Sequence, residues 1–461
     1  MARDLVDENR ISSRDELVGW LAAGCKPQGP FRIGTEHEKI PFYCSDRRPV
    51  PYDGRPDLGR GGIRALLDGL RAATGWEPIE DSGALIGLFD PEGGGAISLE
   101  PGGQFELSGA PLDDSHQTKA ELDTHFAALA PLCARLGVSF LDLGMSPLWR
   151  RDETPVMPKQ RYDIMARYMP KVGGHGLDMM FRTSTVQTNI DFASEADMVA
   201  KMRLALNLQP IFTALFANSP FTDGKPNGFE SMRSQIWTDT DPDRTGMLPF
   251  VFEDGMGFER YVDYALDVPL YFVKRGDIYH DVAGASFRDL LAGRLPQMPG
   301  EFATISDWAN HLSTIFPEVR LKRYLEMRGA DVGPRTHIVA FTALCAGLFY
   351  DRDASAAAWD LVRDFTDEDR AALRAAAPRE GLAARVGARS AQDLARDILA
   401  LARAGLARRR RLDAEGRDET IHLDVLEEIA VSGKSRARRL LAHYHGDWKG
   451  DVARAFDACV Y

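Results

Sequence analysis

The sequence predicts an α+β fold, and three observations carry that prediction. Short strand-like runs come in neighbouring pairs divided by Gly/Pro turns, long helical blocks stand apart from them, and no regular strand–helix–strand repeat recurs. From about residue 350 the texture becomes rich in Ala, Arg and Leu, with helix-like blocks to 413 and again from 424 to the end. We expect residues 1–350 to form the main α+β domain and residues 351–461 a helical region packed on it.

Each element has its own signal. Leu17, Trp20 and Leu21 repeat at helical spacing behind a possible cap at Ser13 or Asp15. The Gly/Pro loop from Lys26 to Pro30 leads into an extended run from Phe31 to Glu38. Residues 61–73 read as helix, and Ala84–Phe89 as a short apolar strand closed by Asp90-Pro91. The Gly93-Gly94-Gly95 turn precedes a strand over Ile97–Glu100, and Pro101-Gly102-Gly103 precedes another over Gln104–Leu107. Residues 115–137 carry a one-faced helical stripe, Val138–Gly144 reads as strand, and 195–217 as a long helix. Leu270–Asp281 reads as a hairpin turning at Arg275-Gly276-Asp277.

Composition narrows the function class. The 461 residues hold 56 Lys+Arg against 68 Asp+Glu, a net charge of −12, which disfavours a nucleic-acid coat or an anionic-membrane binder. An apolar fraction of 44% and a charged fraction of 27% describe a globular chain. Met1 to Glu8 carries acids where a secretion signal needs a basic start, and no run approaches the ~20 apolar residues of a membrane span. The five cysteines (Cys25, Cys44, Cys133, Cys345, Cys459) are scattered without a CxxC, so we expect reduced thiols, no zinc site and a cytoplasmic location.

The chemistry shows in a recurring local pattern. Glu36 and Glu38 sit two apart in an extended run and share one face. Gln104 and Glu106, Gln187 and Asn189, and Glu326 and Arg328 repeat the arrangement. One such pair is ordinarily a solvated strand face. Four of them, three containing Glu among apolar neighbours, point to a sheet with one chemically active surface. Crowded carboxylates need compensating cations or protons. Oxygen ligands without Cys or paired His favour Mg²⁺ or Mn²⁺, and Mg²⁺ held this way usually shares its shell with phosphate oxygens.

Basic residues cluster in three places, which suits anion binding. They are Lys159, Arg161, Arg167, Lys171 and Arg182; Arg233, Arg244 and Arg260; and Arg320, Lys322, Arg323 and Arg328. No GxxxxGK[ST] loop, GxGxxG turn or GxSxG elbow is present, so a bound nucleotide would depend on metals and arginines. The run Arg408–Arg411 is followed by Asp413, Glu415 and Asp418 and reads as a solvated helix end.

The string from Phe31 to Lys39 closely resembles the opening motif of the plant-type glutamate–cysteine ligases, which also occur in proteobacteria. The resemblance continues through Gly103–Gly109, Arg161–Met165, Leu177–Thr183, Ala217–Phe221, Asp239–Gly246 and Phe316–Gly329. It implies a curved, mainly antiparallel, glutamine-synthetase-like catalytic sheet flanked by helices, with residues 1–350 as an ATP-dependent ligase domain. It also implies that ATP phosphorylates the γ-carboxylate of glutamate and that the amine of cysteine displaces phosphate. A γ-glutamyl ligase with a different amine acceptor is the alternative.

On that resemblance, Glu36, Glu38, Glu100, Glu106 and Glu326 are expected to hold two or three Mg²⁺ (or Mn²⁺) ions. Arg328, Glu326 and Arg182 are the expected catalytic set; Gln187, Asn189, Arg233, Arg244, Arg323, Lys171 and Tyr162 are expected to bind substrate or ATP. Tyr162, Met165, Tyr168 and Trp237 are candidates to shape a thiol pocket. The implied partners are glutamate, cysteine and ATP, with no nucleic acid or membrane, for a monomer or homodimer. Ser184 stands where plant members commonly carry Cys, so their disulfide regulation is not expected here.

Overall fold

The 11-residue strand β1, Ile33–Tyr43, organises the molecule because other strands hydrogen-bond to both of its edges. A computed structural model describes residues 7–461; residues 1–6, part of the start read above, lie outside the described residues. The further strands are β2 (Glu77–Asp81), β3 (Ala84–Phe89), β4 (Ala96–Leu99), β5 (Phe105–Ser108), β6 (Val138–Leu141) and β7 (Thr185–Ile190). With the strands Val319–Leu321 and Leu325–Asp331 they make a nine-stranded sheet among the described residues. Its order is Val319–Leu321, Leu325–Asp331, β7, β1, β5, β4, β3, β2, with β6 paired to the far end of β1. Every pairing in it is antiparallel.

The turn between β4 and β5 shows how sequence builds the hairpins. Gly103 takes a φ of +87°, a region L side chains rarely adopt, and its N–H donates to the Glu100 carbonyl. Strand β2 had no hydrophobic alternation to announce it. Only its last residue is buried, and a register shift at Ile79/Glu80 breaks its pairing with β3.

Helices cover the face of β1 opposite Glu36 and Glu38. His37 and Lys39 point into that side; His37 stacks on Phe126 of the helix Ser115–Leu136, and Lys39 Nζ donates to the Phe105 carbonyl. The helices Glu195–Leu215 and Arg335–Phe349 are buried over most of their surface, as expected of helices apolar nearly all round. The expected helix spans 61–73, 115–137 and 195–217 appear as Ile63–Thr74, Ser115–Leu136 and Glu195–Leu215.

The C-terminal part contains the helices Arg352–Val362, Asp367–Glu380, Ala391–Arg409, Asp424–Ser432 and Arg436–His445, plus a small strand pair, Arg385–Val386 with Arg389–Ser390. Its core is continuous with that of the sheet side: Leu394 and Ile398 belong to the same buried cluster as Phe341 and Leu344. The last residues return to the sheet, where Val460 bridges to Leu141 and the Tyr461 hydroxyl donates to the Gly333 carbonyl. All five cysteines carry free thiols.

Candidate active site

Strand register gathers the polar pairs on one face. Glu36 lies opposite Gln187 on β7 and Ser108 on β5, while Glu38 lies opposite Glu106, which lies opposite Ser98 on β4. Glu326 lies opposite Asn189 on one side and Arg320 on the other. Above this face is a cleft of about 550 Å³ lined by Glu36, Glu38, Glu106, Gln187 and Arg328. The β2–β3 hairpin, the segment Lys159–Tyr162, the hairpin residues Lys274 and Tyr279, and Arg233, Trp237 and Phe316 complete it.

One end of the cleft is acidic. Glu100, on the turn after β4, joins Glu36, Glu38 and Glu106 there. Burial, with the neighbouring charges of Glu100 and Glu106, pushes Glu38 well above the usual carboxylate range. Burial also raises Glu36, with Glu326 and Glu106 adding to the effect. The acids are oriented by short-range donors. Ser98 and Ser108 hydroxyls donate to Glu106, the Thr185 N–H donates to Glu38 at 3.1 Å, and Asn189 Nδ2 donates to Glu36 at 2.8 Å.

Carboxylates forced together in a buried place lower their free energy by sharing a cation. Among the described residues no three acidic, imidazole or thiol groups stand close enough to enclose an ion on their own. The all-oxygen donor set of Glu36, Glu38, Glu100 and Glu106 fits a hard divalent cation that takes part of its shell from water and ligand oxygens.

The other end is cationic and is built by a β-bulge. Register shifts between Met327 and Ala330, which re-aims Arg328 toward the cleft. Gly329 in this bulge packs tightly on Gln209, since a Cβ there would stand 1.8 Å from Gln209 Nε2. Arg328 Nη1 donates to Glu326 Oε2 at 2.7 Å and also to Gln187 Oε1, and Arg233 Nη2 donates to the Arg328 carbonyl at 2.9 Å. Arg328 also lies 5.9 Å from the Trp237 ring centre and 5.7 Å from that of Phe316.

Several expected site residues are elsewhere. Glu326 does not line the cleft; its carboxylate is fully buried and held by Arg320, Lys322 and Arg328. Burial opposes its ionisation, but those three charges prevail and hold it well below the usual range. Expected as a metal ligand, Glu326 here meets three cations, and its Oε2 accepts from Arg328. Arg182 is also corrected. It is buried against Asp223, Asp178 and the Trp149 carbonyl, which take up its charge and its two terminal nitrogens but leave Nε unpaired. Arg244 is sealed in the core on Asp241 and the Thr314 and Pro269 carbonyls, stacked 3.8 Å from the Tyr271 ring centre.

Arg323 lies over the Trp20 ring and donates to the Trp20 carbonyl, and Lys171 is exposed; neither lines the cleft. Asn189 acts through Glu36 and is not a lining residue. Tyr162, Met165 and Trp237 line the cleft, whereas Tyr168 does not and packs edge-on against Tyr271.

Residues not singled out in advance also belong to the site. Ser98 and Thr185 hold the acids, and Lys159, Arg161, Arg320 and Lys322 line the cleft. The four basic residues were visible as clusters, but a cluster does not say which member turns inward. Despite burial, Tyr162 and Glu100 raise Arg161 above its ordinary value, so it stays charged in the cleft. Ser98 had a faint signal, two residues before Glu100 on an alternating strand.

The sequence model of glutamate–cysteine ligase family 2 matches residues 32–458. The chain belongs to this family. As a member of glutamate–cysteine ligase family 2 it is an enzyme of the ligase class. It is 51% identical to a chloroplastic glutamate–cysteine ligase of Arabidopsis thaliana, covering 97% of this chain and 83% of that one. To the chloroplastic enzyme of Medicago truncatula it is 51% identical, over 99% of this chain and 87% of that one.

A solved structure of the Francisella tularensis glutamate–cysteine ligase, in complex with AMP, superposes with a TM-score of 0.50 at 12% identity. It covers 92% of this chain and 87% of that one, which shows a shared fold. The names of the family-2 relatives overturn the expected cytoplasmic location, since those enzymes are chloroplastic. Free thiols are common to reducing compartments in general and could not separate one from another. Among the described residues no helix is long and apolar enough to cross a membrane.

Proposed function

We propose that this chain uses ATP to join the γ-carboxylate of glutamate to the amine of cysteine, giving γ-glutamylcysteine, the first step of glutathione synthesis. Family membership supports this reading, and one observation carries it. Buried acids on β1 and β5 face the same cleft as Arg328 and Arg233, so one space offers both metal-binding and anion-binding groups.

A carboxylate is a poor electrophile at neutral pH, so the amide cannot form until one oxygen becomes part of a leaving group. In the first step the bond from the γ-phosphorus to ADP breaks and a bond to the glutamate γ-carboxylate forms. In the second the cysteine nitrogen attacks the acyl carbon, phosphate leaves and the nitrogen loses a proton. Transfer of this kind depends mainly on positioning and on neutralising charge.

Two or three Mg²⁺ (or Mn²⁺) ions, held by Glu36, Glu38, Glu100 and Glu106, would neutralise triphosphate charge when bound. Arg328, aimed by Glu326 and Gln187, stabilises charge on the phosphoryl group in transit. Arg233 holds the α-carboxylate of glutamate, and Tyr162, Met165 and Trp237 give the acceptor an apolar surface.

The test follows ADP and product mass with glutamate, ATP and Mg²⁺, with and without cysteine. Equal amounts of ADP and γ-glutamylcysteine are expected, with cysteine required for rapid turnover. Glutamate-dependent ADP release that cysteine does not accelerate would favour a different amine acceptor. No ADP with any amine would sink the ligase reading.

A further inference from the structure

Around Glu326 three buried cations surround one carboxylate, and they are not equivalent. Arg320 is fully engaged. Its Nε donates to Glu326 Oε2 at 2.6 Å and its Nη1 to the carbonyls of Ser313 and Ile315 at 2.9 and 3.1 Å. Arg328 gives Nη1 to Glu326 and Gln187. Lys322 makes one long hydrogen bond, 3.5 Å from Nζ to Glu326 Oε1, and lies 5.6 Å from the Tyr324 ring centre, although an ammonium carries three donors. Its side chain is only 3% exposed and lines the cleft beside Glu36, Arg320 and Arg328.

The charge count points the same way. Three cations against Glu326 leave a local surplus that Glu36 offsets only in part. A buried surplus of one sign is costly unless a ligand of opposite charge completes it. The surplus faces the cleft, and Lys322 brings unused donors to it on a flexible four-carbon stem.

We propose that Lys322 is a catalytic residue of phosphoryl transfer, with its ammonium donating to a non-bridging oxygen of the ATP γ-phosphate. This rests on the ligase reading above. As the bond from phosphorus to ADP breaks, its electron pair stays on ADP, and a carboxylate lone pair forms the new bond. Lys322 transfers no proton; it follows the phosphoryl oxygen and neutralises charge throughout. Arg320, with its donors occupied, holds the geometry.

The test uses the full chain and the variants Lys322→Met and Lys322→Arg. Calorimetry measures affinity for ADP and for a non-hydrolysable β,γ-imido ATP analogue, and steady-state assays measure kcat and KM. For Lys322→Met the analogue is expected to bind about tenfold more weakly, ADP within about twofold, with kcat down about a hundredfold. Lys322→Arg restores analogue binding to within about threefold of wild type.

Equal weakening of ADP and analogue would overturn the proposal, because it would mean that Lys322 only holds Glu326 in place. Wild-type affinity together with wild-type turnover would overturn it too. Should Lys322→Met fail to fold, Lys322→Gln is measured the same way with the same outcomes. A wild-type chain that binds the analogue but makes no amide would refute the ligase reading instead, and the analogue-versus-ADP contrast would still report on Lys322.

Discussion

Arg328 Nη1 sits 2.7 Å from Glu326 Oε2, so a guanidinium that faces the cleft is aimed by a carboxylate that does not. Removing that carboxylate leaves Arg320, Lys322 and Arg328 buried together without their counter-ion. Glu326→Gln is therefore expected to lose about 3–5 kcal/mol of stability, and turnover with it. Arg328→Lys keeps the charge but loses the planar guanidinium whose Nη1 donates to both Glu326 and Gln187. Turnover should fall about a hundredfold while the melting temperature stays near wild type. Melting curves and initial rates on both variants check this; an active, stable Glu326→Gln would refute the positioning role.

Glu38 should report on the metal ions. It lies opposite Glu106 and is buried with it, so a bound cation relieves a repulsion between the two carboxylates. Glu38→Gln removes part of that repulsion and one ligand oxygen. It should raise the Mg²⁺ concentration for half-maximal rate about tenfold or more, lower kcat about a hundredfold, and not lower the metal-free melting temperature. Wild-type Mg²⁺ dependence would take Glu38 out of the metal site.

Gly329→Ala tests the bulge that aims Arg328. The added methyl would meet Gln209 at 1.8 Å, and Gln209 is fully buried. We expect a loss of about 1–3 kcal/mol and a fall in turnover as Arg328 moves. The Gln209 side-chain amide has no hydrogen-bond partner, so Gln209→Ala should cost no hydrogen bond and should rescue the double variant. If the double variant is no more active than Gly329→Ala, the clash is not the cause.

Glu121 gives a pH signature away from the site. Burial, with Asp90 adding, outweighs the 2.7 Å hydrogen bond from the Ala110 N–H and raises its pKa from 4.5 to about 7. Between those values the native state holds a proton that the unfolded chain has released. This contribution to stability is thus complete below the unfolded value and is lost as pH rises to about 7. Glu121→Gln keeps an acceptor for Ala110 and should flatten this decline, gaining on the order of 1–3 kcal/mol at pH 8 after discount for partial exposure. Unfolding titrations from pH 4 to 8, about the window in which the group titrates, check the sign. An unchanged slope in the variant would exclude Glu121 as its source.

The helices and the main hairpins were legible because their apolar spacing is a local property. Ile63–Thr74 and Ser115–Leu136 fall within a residue or two of the expected spans. Strand β2 was not legible, since Glu77–Asp81 is largely exposed and carries no alternation; its strand character comes from pairing with β3. The strand pair at Arg385–Ser390 escaped for a related reason, two residues per strand being too short to show a period.

The sequence by itself determined which side chains share a face. The period of two along β1, β7 and Leu325–Asp331 requires Glu36 with Glu38, Gln187 with Asn189, and Glu326 with Arg328 to point together. Only the tertiary structure decided which of them meet. Register placed Glu38 opposite Glu106, and a bulge turned Arg328 inward while leaving Glu326 beneath it. The same holds for the arginines. Arg182, Arg233 and Arg244 are alike as residues in a sequence, yet Arg182 and Arg244 are neutralised by Asp223, Asp178 and Asp241, and Arg233 lines the cleft. Whether a charge faces the cleft or is spent in the core depends on residues distant in the chain.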